Sequence, residues 1–250
     1  MNPWNRPEAV VQTQTRAVDQ GLRSYLLKVY NYMASALLLT GIVAWFTAQQ
    51  AIGTDAETGQ MGLTPFGHSL FVGPLHWLVI FAPLGMVIAI SAGLNRMRTS
   101  TLQACFWGFA VLMGLSLSSI FLVYTGQSIA RTFFVTAAMF GGMSMWGYAT
   151  KKDLTGFGHF LIMGVWGIVI ASLVNMFMHS SGLNFAVSIL GVFIFTGLIA
   201  YDTQRLKDIY YQVAGYADGM ARASIMGALS LYLDFINLFI SLLRLMGDRR

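Results

Sequence analysis

The chain has 250 residues, of which 56% are hydrophobic and only 10% charged. Soluble domains carry roughly 25% charged residues, so most of this surface cannot face water, and a soluble fold is excluded. The formal charge of +5 sits in short gaps between apolar runs, without a basic stripe broken by stacking aromatics, which excludes a nucleic-acid partner and makes the bilayer the expected one.

A bilayer core about 30 Å thick needs about 20 apolar residues of helix, and backbone in lipid must satisfy its own polar groups. The 26 glycines and 15 methionines suit close helix packing in lipid. Residues 1–24 read as a polar tail with Arg6, Arg16 and Arg23. The apolar run that follows is too long for a cleavable signal, so residues 25–250 are expected to form one transmembrane domain. Seven spans are expected: Leu26 to Thr47, His76 to Leu94, Leu102 to Val123, Ile129 to Thr150, Phe157 to Met178, Leu183 to about Gln204, and Ile225 to Met246. The long connections are Ala51 to Leu75, with Asp55 and Glu57, and Arg205 to Ser224.

The basic residues alternate between gaps. The tail, Arg96 and Arg98, Lys151 and Lys152, and Arg205, Lys207 and Arg222 fall on one side, which puts the N-terminus in the cytoplasm. Seven spans then leave Arg249 and Arg250 on the other side, against the same rule. Cys105, the single cysteine, lies in an apolar run, so no intramolecular disulfide forms.

Two acidic residues fall inside or at the edge of apolar spans, Asp202 and Asp234. An intramembrane carboxylate normally faces a cavity, a partner or a proton path. Ser230, Asp234, Asn237 and Ser241 recur at spacings of four, three and four, which places them on one face of the last helix, continued by Arg244. That wet face is expected to line a path. If the sixth helix runs on to Tyr210 and Tyr211, both carboxylates lie roughly 12–15 Å from its end at the helical rise. Two carboxylates in one low-dielectric site cannot both ionise cheaply, so the pair is a candidate pH sensor, and it could hold Ca²⁺. Arg96 and Arg98 at the mouth between spans two and three set topology and contact headgroups, and the sharper reading is that one reaches inward to pair with the carboxylates.

Other constellations are weaker. Ser172, Asn175 and His179 share a helical face, which interhelical hydrogen bonding explains. His68, His76, His159 and His179 lack metal-ligand spacing. Ser144 lacks the glycine spacing and base of a nucleophile turn, and Ala138 with Gly142 suits packing. There is no phosphate-binding loop or dinucleotide fingerprint. Neither an enzyme nor a bound cofactor is expected.

Four segments carry a family resemblance: 227–247 (GALSLYLDFINLFISLLRLMG), 114–125 (GLSLSSIFLVYT), 151–158 (KKDLTGFG) and 200–204 (AYDTQ). The chain resembles the Bax inhibitor (transmembrane Bax inhibitor motif) family, as a bacterial member, over essentially everything after the tail. The resemblance implies seven helices, the last one central and wrapped by the other six, in the cell inner membrane. It implies a pH-sensitive passive Ca²⁺ leak whose sensor falls on Asp202 and Asp234, and a latch arginine that falls on Arg98 or Arg96. Ca²⁺ would be a permeant or transiently bound ion. The alternative it implies is a non-transporting regulator of a membrane protein partner, of the cell-death-suppressor or membrane-protease-modulator type.

Overall fold

The computed structural model describes residues 7–54, 61–94 and 96–249, with side chains placed from Gln20 onward except at 54 and 61. Arg6, Asp55, Glu57 and Arg250 lie outside the described residues, and the Arg16 side chain outside the placed ones. Helix α1 (Pro7–Ala51) leads into a hairpin of β1 (Ile52–Thr54) and β2 (Met61–Leu63), paired antiparallel. Then come α2 (Pro65–Phe71), α3 (Leu75–Gly93), α4 (Thr99–Leu117), α5 (Ile120–Val123), α6 (Gly126–Ala149), α7 (Thr155–Met178), α8 (Ser181–Val213) and α9 (Ala217–Met246).

Among the described residues the protein is all-α apart from that hairpin, and six stretches are long and apolar enough to cross a membrane: Gln20–Ala51, Leu75–Gly93, Thr99–Val123, Thr155–Met178, Ser181–Val213 and Ala217–Met246. The remaining expected span is α6. It is as long as α7, at 24 residues, but Arg131 and a row of Ser and Thr dilute its apolarity. Its buried positions Ser128, Thr132, Thr136, Phe140 and Ser144 recur every four residues, so the polar row faces neighbouring helices.

Local chemistry sets several helix starts. Thr64, Thr125 and Ser180 accept backbone N–H bonds from Gly67, Ser128 and Leu183, satisfying donors that a helix start leaves open. One expected boundary is corrected. Arg205 to Ser224 is not a long connection: α8 runs on to Val213 and α9 begins at Ala217. The turn between them uses Gly215 at φ 90°, a conformation that a side chain disfavours. The expected loop Ala51 to Leu75 holds the hairpin and α2 rather than irregular chain.

Helix α9 packs against α1, α4, α6 and α8, and α7 packs on α8. In its most apolar stretch α9 is 72% buried and α7 6% buried, so α9 is largely covered by other helices while α7 leaves nearly its whole surface uncovered. Small residues allow close approach. A methyl group at Gly147 would lie 2.3 Å from the Ala200 carbonyl oxygen, and one at Gly158 would lie 2.4 Å from the Tyr201 ring. The Ala138–Gly142 pair does not serve this purpose at Gly142, which has nothing within 4 Å of that position.

The candidate carboxylate site and its cavity

Asp202 lies in the second half of α8, about 16 Å from its end at the helical rise. Asp234 lies mid-way along α9. Both are buried, at 8% and 6% exposure, and their carboxyl groups lie close enough to act on each other by charge. The Ser230 hydroxyl, one turn before Asp234, donates to Asp202 Oδ2. Asp234 Oδ2 is buried and meets no donor. A carboxylate oxygen without a donor in a dry site is costly, so the pair is the least satisfied polar group in the core of α9.

Asp202 and Ser230 form the floor of a cavity of about 510 Å³ between α3, α8 and α9. Val87, Met226 and Leu233 make its apolar wall, and Arg205 and Arg222 stand in its lining. Arg205, three residues after Asp202 and so on the same face of α8, lies close enough to act on that carboxyl by charge. Arg222 is held from two sides: its Nε donates to Asp218 Oδ2 at 2.8 Å and its Nη1 to the Leu94 carbonyl at 2.6 Å. The Thr99 hydroxyl donates to the other oxygen of Asp218. The start of α9 is thereby tied to the α3–α4 turn, across the cavity mouth.

The structure thus brings Asp202, Asp234 and Ser230 together. It does not bring Arg96 or Arg98 to them: both are exposed on the α3–α4 turn, and neither lines the cavity. The guanidinium groups in the cavity lining belong to Arg205, beside Asp202, and Arg222, at the mouth. Each had a local signal, Arg205 at three residues from an intramembrane aspartate and Arg222 at four from Asp218, but reading that stretch as a loop removed the helical spacing. Asn237 and Ser241 share the face of Ser230 but not its cavity. Asn237 Nδ2 donates to the Leu233 carbonyl at 2.8 Å and Ser241 Oγ to the Asn237 carbonyl at 2.7 Å, each one turn back. Ser241 packs against Gly191, where a methyl group would lie 2.4 Å from its hydroxyl.

The oxygens of Asp202, Asp234 and Ser230 fall short of the six to eight that Ca²⁺ takes, and among the described residues no group of three or more His, Cys, Asp or Glu side chains converges. The donor set by itself does not complete a Ca²⁺ coordination sphere. Ser144, weighed as a nucleophile, is bonded to the Tyr30 hydroxyl and, at 3.1 Å, to Thr203, within helix packing.

A bundle of long apolar helices around a buried carboxyl pair, open to one end through an arginine-lined cavity, defines a polytopic membrane protein. Residues 22–250 match the family described as inhibitor of apoptosis-promoting Bax1, and the chain belongs to that Bax inhibitor family. It is 47% identical to an uncharacterised protein of Caulobacter vibrioides and 44% identical to the inner membrane protein YbhL of Escherichia coli, in both cases over 100% of each chain. An uncharacterised membrane protein of Streptococcus pyogenes is 34% identical over 95% of this chain and 97% of its own.

Proposed function

We propose that the protein is a passive, pH-gated leak for Ca²⁺ in the inner membrane. In this reading α6 completes seven spans, α9 is the central helix and the N-terminus is cytoplasmic. The observation that carries the reading is the pair itself: two buried carboxyl groups from adjacent helices, Asp202 lining the cavity and Asp234 buried behind it. Two ionised carboxylates at that separation, away from water, repel each other, and one shared proton turns the repulsion into a bond. With the proton shared, α8 and α9 are held together and the path beyond Ser230 is shut. A change in protonation shifts the populations of closed and open bundles.

Arg205 and Arg222 supply the second element. Positive charge in the lining opposes cation entry, and opening requires Arg222 to leave the Leu94 carbonyl. The latch of this chain is therefore assigned to Arg222, with Arg205 beside the pair, in place of Arg96 or Arg98. Beyond Ser230, Asn237 and Ser241 are bonded to their own helix, as a closed path requires, and would turn to the path on opening. No catalytic step is part of this reading.

The test is Ca²⁺ entry into dye-loaded proteoliposomes between about pH 5 and pH 8, a range chosen to cross the titration of a coupled carboxyl pair. Wild type should leak in a pH-dependent manner, and Asp202→Asn and Asp234→Asn should each flatten that dependence. Wild-type traces that match empty liposomes at every pH would remove the leak reading. The alternative of a non-transporting regulator draws on α7, which packs on α8 and leaves Phe160, Met163, Trp166 and Phe177 exposed. A helix partnered on one side can dock a second membrane protein. Stable copurification of such a partner, together with no flux in pure liposomes, would favour that reading.

A further inference from the structure

At the end of the bundle away from the aspartates, α9 finishes with Arg244, and the chain turns at Gly247 to place Arg249 beside it. The turn is built. Gly247 allows the close approach, because a methyl group there would lie 2.3 Å from the Leu243 carbonyl oxygen and 2.7 Å from the Tyr124 ring. Thr125 N–H donates to the Asp248 carbonyl at 3.1 Å, Asp248 N–H donates to Ser128 Oγ at 2.9 Å, and Tyr124 forms a backbone bridge with Arg249. Arg249 is therefore fixed against the α5–α6 turn.

Both arginines line two adjoining cavities of about 480 and 290 Å³, which also share Asn175 and Asn184. Neither cavity has an acidic residue in its lining, and among the described residues the one ion pair is Arg222 with Asp218, at the other end. Asn175 Oδ1 accepts the Ser180 N–H at 2.9 Å, which leaves its amide NH₂ as a donor. His179 stands at the rim in the left-handed conformation, φ 49°, at a helix end where glycine is usual. The first turn of α8 opens onto the same space, so its dipole adds positive potential.

We propose that this end of the bundle binds a phosphate monoanion between Arg244 and Arg249, carried by a phospholipid headgroup or free in solution. The chemistry is one-sided: two guanidinium groups and amide donors converge where the lining holds no acid, Asp248 beside Arg249 lying outside it, and forked guanidinium groups match phosphate oxygens. Compensation of the α9 C-terminal carbonyls accounts for Arg244. It does not account for Arg249, which lies past the helix end and is held in place by a separate set of backbone bonds. A bound phosphate would also explain how two arginines are tolerated on the side of the membrane that the charge rule disfavours. The site contains neither Asp202 nor Asp234, so it stands apart from the leak reading.

The test uses the full chain in nanodiscs. In the first arm, native mass spectrometry compares retention of phosphatidylglycerol with phosphatidylcholine. In the second, inorganic phosphate is titrated against nanodiscs of pure phosphatidylcholine and the unfolding temperature is read. Preferential retention of phosphatidylglycerol, weakened about tenfold by Arg249→Gln and further by Arg244→Gln with Arg249→Gln, identifies a headgroup. A phosphate-dependent rise in unfolding temperature, absent from the double variant, identifies free phosphate. His179→Gly relieves the left-handed backbone, so it should keep or raise stability while weakening binding. That separates loss of the site from loss of the fold. Identical behaviour of wild type and double variant in both arms overturns the proposal. So does an equal loss on Lys151→Gln, which removes one exposed charge just past the far end of α6.

Discussion

The two ends of α9 handle charge in opposite ways. Toward its start, acids and bases are interleaved: Asp202 and Asp234 are buried, Arg205 stands beside them, and Arg222 is shared between Asp218 and the Leu94 carbonyl. Toward its end, Arg244 and Arg249 face two cavities without acids in their lining. The first arrangement balances acids with bases from within the chain, and the second has bases alone in its lining. In the readings proposed above, one helix thus joins a region that switches to a region that anchors.

Substitution at the pair should break this comparison most strongly. Asp234→Asn keeps the shape of the side chain but removes the titrating group. The pH-dependent part of Ca²⁺ flux should vanish, while phosphate binding at the other end stays within a factor of about two of wild type, since coupling falls away between distant sites that share no partners. Flux that keeps its full pH dependence in both Asp234→Asn and Asp202→Asn would place the sensor elsewhere.

The next largest effect lies between the ends, where Gly191 of α8 meets Ser241 of α9. Any side chain at Gly191 would start 2.4 Å from the Ser241 hydroxyl, so α8 and α9 would be forced apart. Gly191→Val should cost about 1–3 kcal/mol by overpacking, read as a lower unfolding temperature in detergent. Gly142→Val, at a position with open space, should shift it far less. Equal shifts would mean that the ends are not joined through this contact.

How much of this was legible beforehand depended on whether the information was local. Span positions were local: apolar runs ended at capping residues such as Thr125 and Ser180, and each expected span lies on an observed helix, although α1, α8 and α9 run well beyond the expected ends. The stretch 205–224 failed because five charged residues in a row of twenty read as loop, whereas the structure uses them on two helices joined as one hairpin. Charge scarcity singled out Asp202 and Asp234, and their similar depth followed from the helical rise once the sixth helix was carried on to Tyr210 and Tyr211. The choice among arginines did not follow. Arg96 and Arg98 are near the pair in sequence topology, but the α3–α4 turn points them outward, and the rotation of a turn is set by tertiary packing. The anion site was the least visible, because Asn175, Asn184, Arg244 and Arg249 come from three separated stretches. Only the face shared by Ser172, Asn175 and His179 hinted at it.

A smaller change sharpens the account of the mouth. Arg222→Gln removes the charge-assisted bond to the Leu94 carbonyl and the pairing with Asp218. If the latch is Arg222, flux should rise about five- to tenfold across the whole pH range, as expected for loss of roughly 1–1.4 kcal/mol favouring the closed bundle, and its pH dependence should remain. Arg98→Gln, on the exposed turn, should leave flux unchanged. The reverse pattern would return the latch to the α3–α4 turn.

The smallest expected effect tests whether the core of α9 carries function or only stability. Tyr232 is fully buried and its hydroxyl shares a 2.8 Å hydrogen bond with Thr40, which in turn donates to the Ala110 carbonyl at 2.8 Å. Its ring meets Phe109 edge-on at 5.1 Å. Tyr232→Phe keeps the ring and removes one bond, while Thr40 retains its carbonyl partner, so no buried donor is stranded. The cost should be about 1 kcal/mol, seen as a small drop in unfolding temperature, with flux and phosphate binding unchanged. Tyr232 precedes Asp234 by two residues and so points away from it around the helix. A change in pH dependence on losing this hydroxyl would mean that the α1–α4 face of α9 moves with the pair, and that gating rotates the helix rather than parting it from α8.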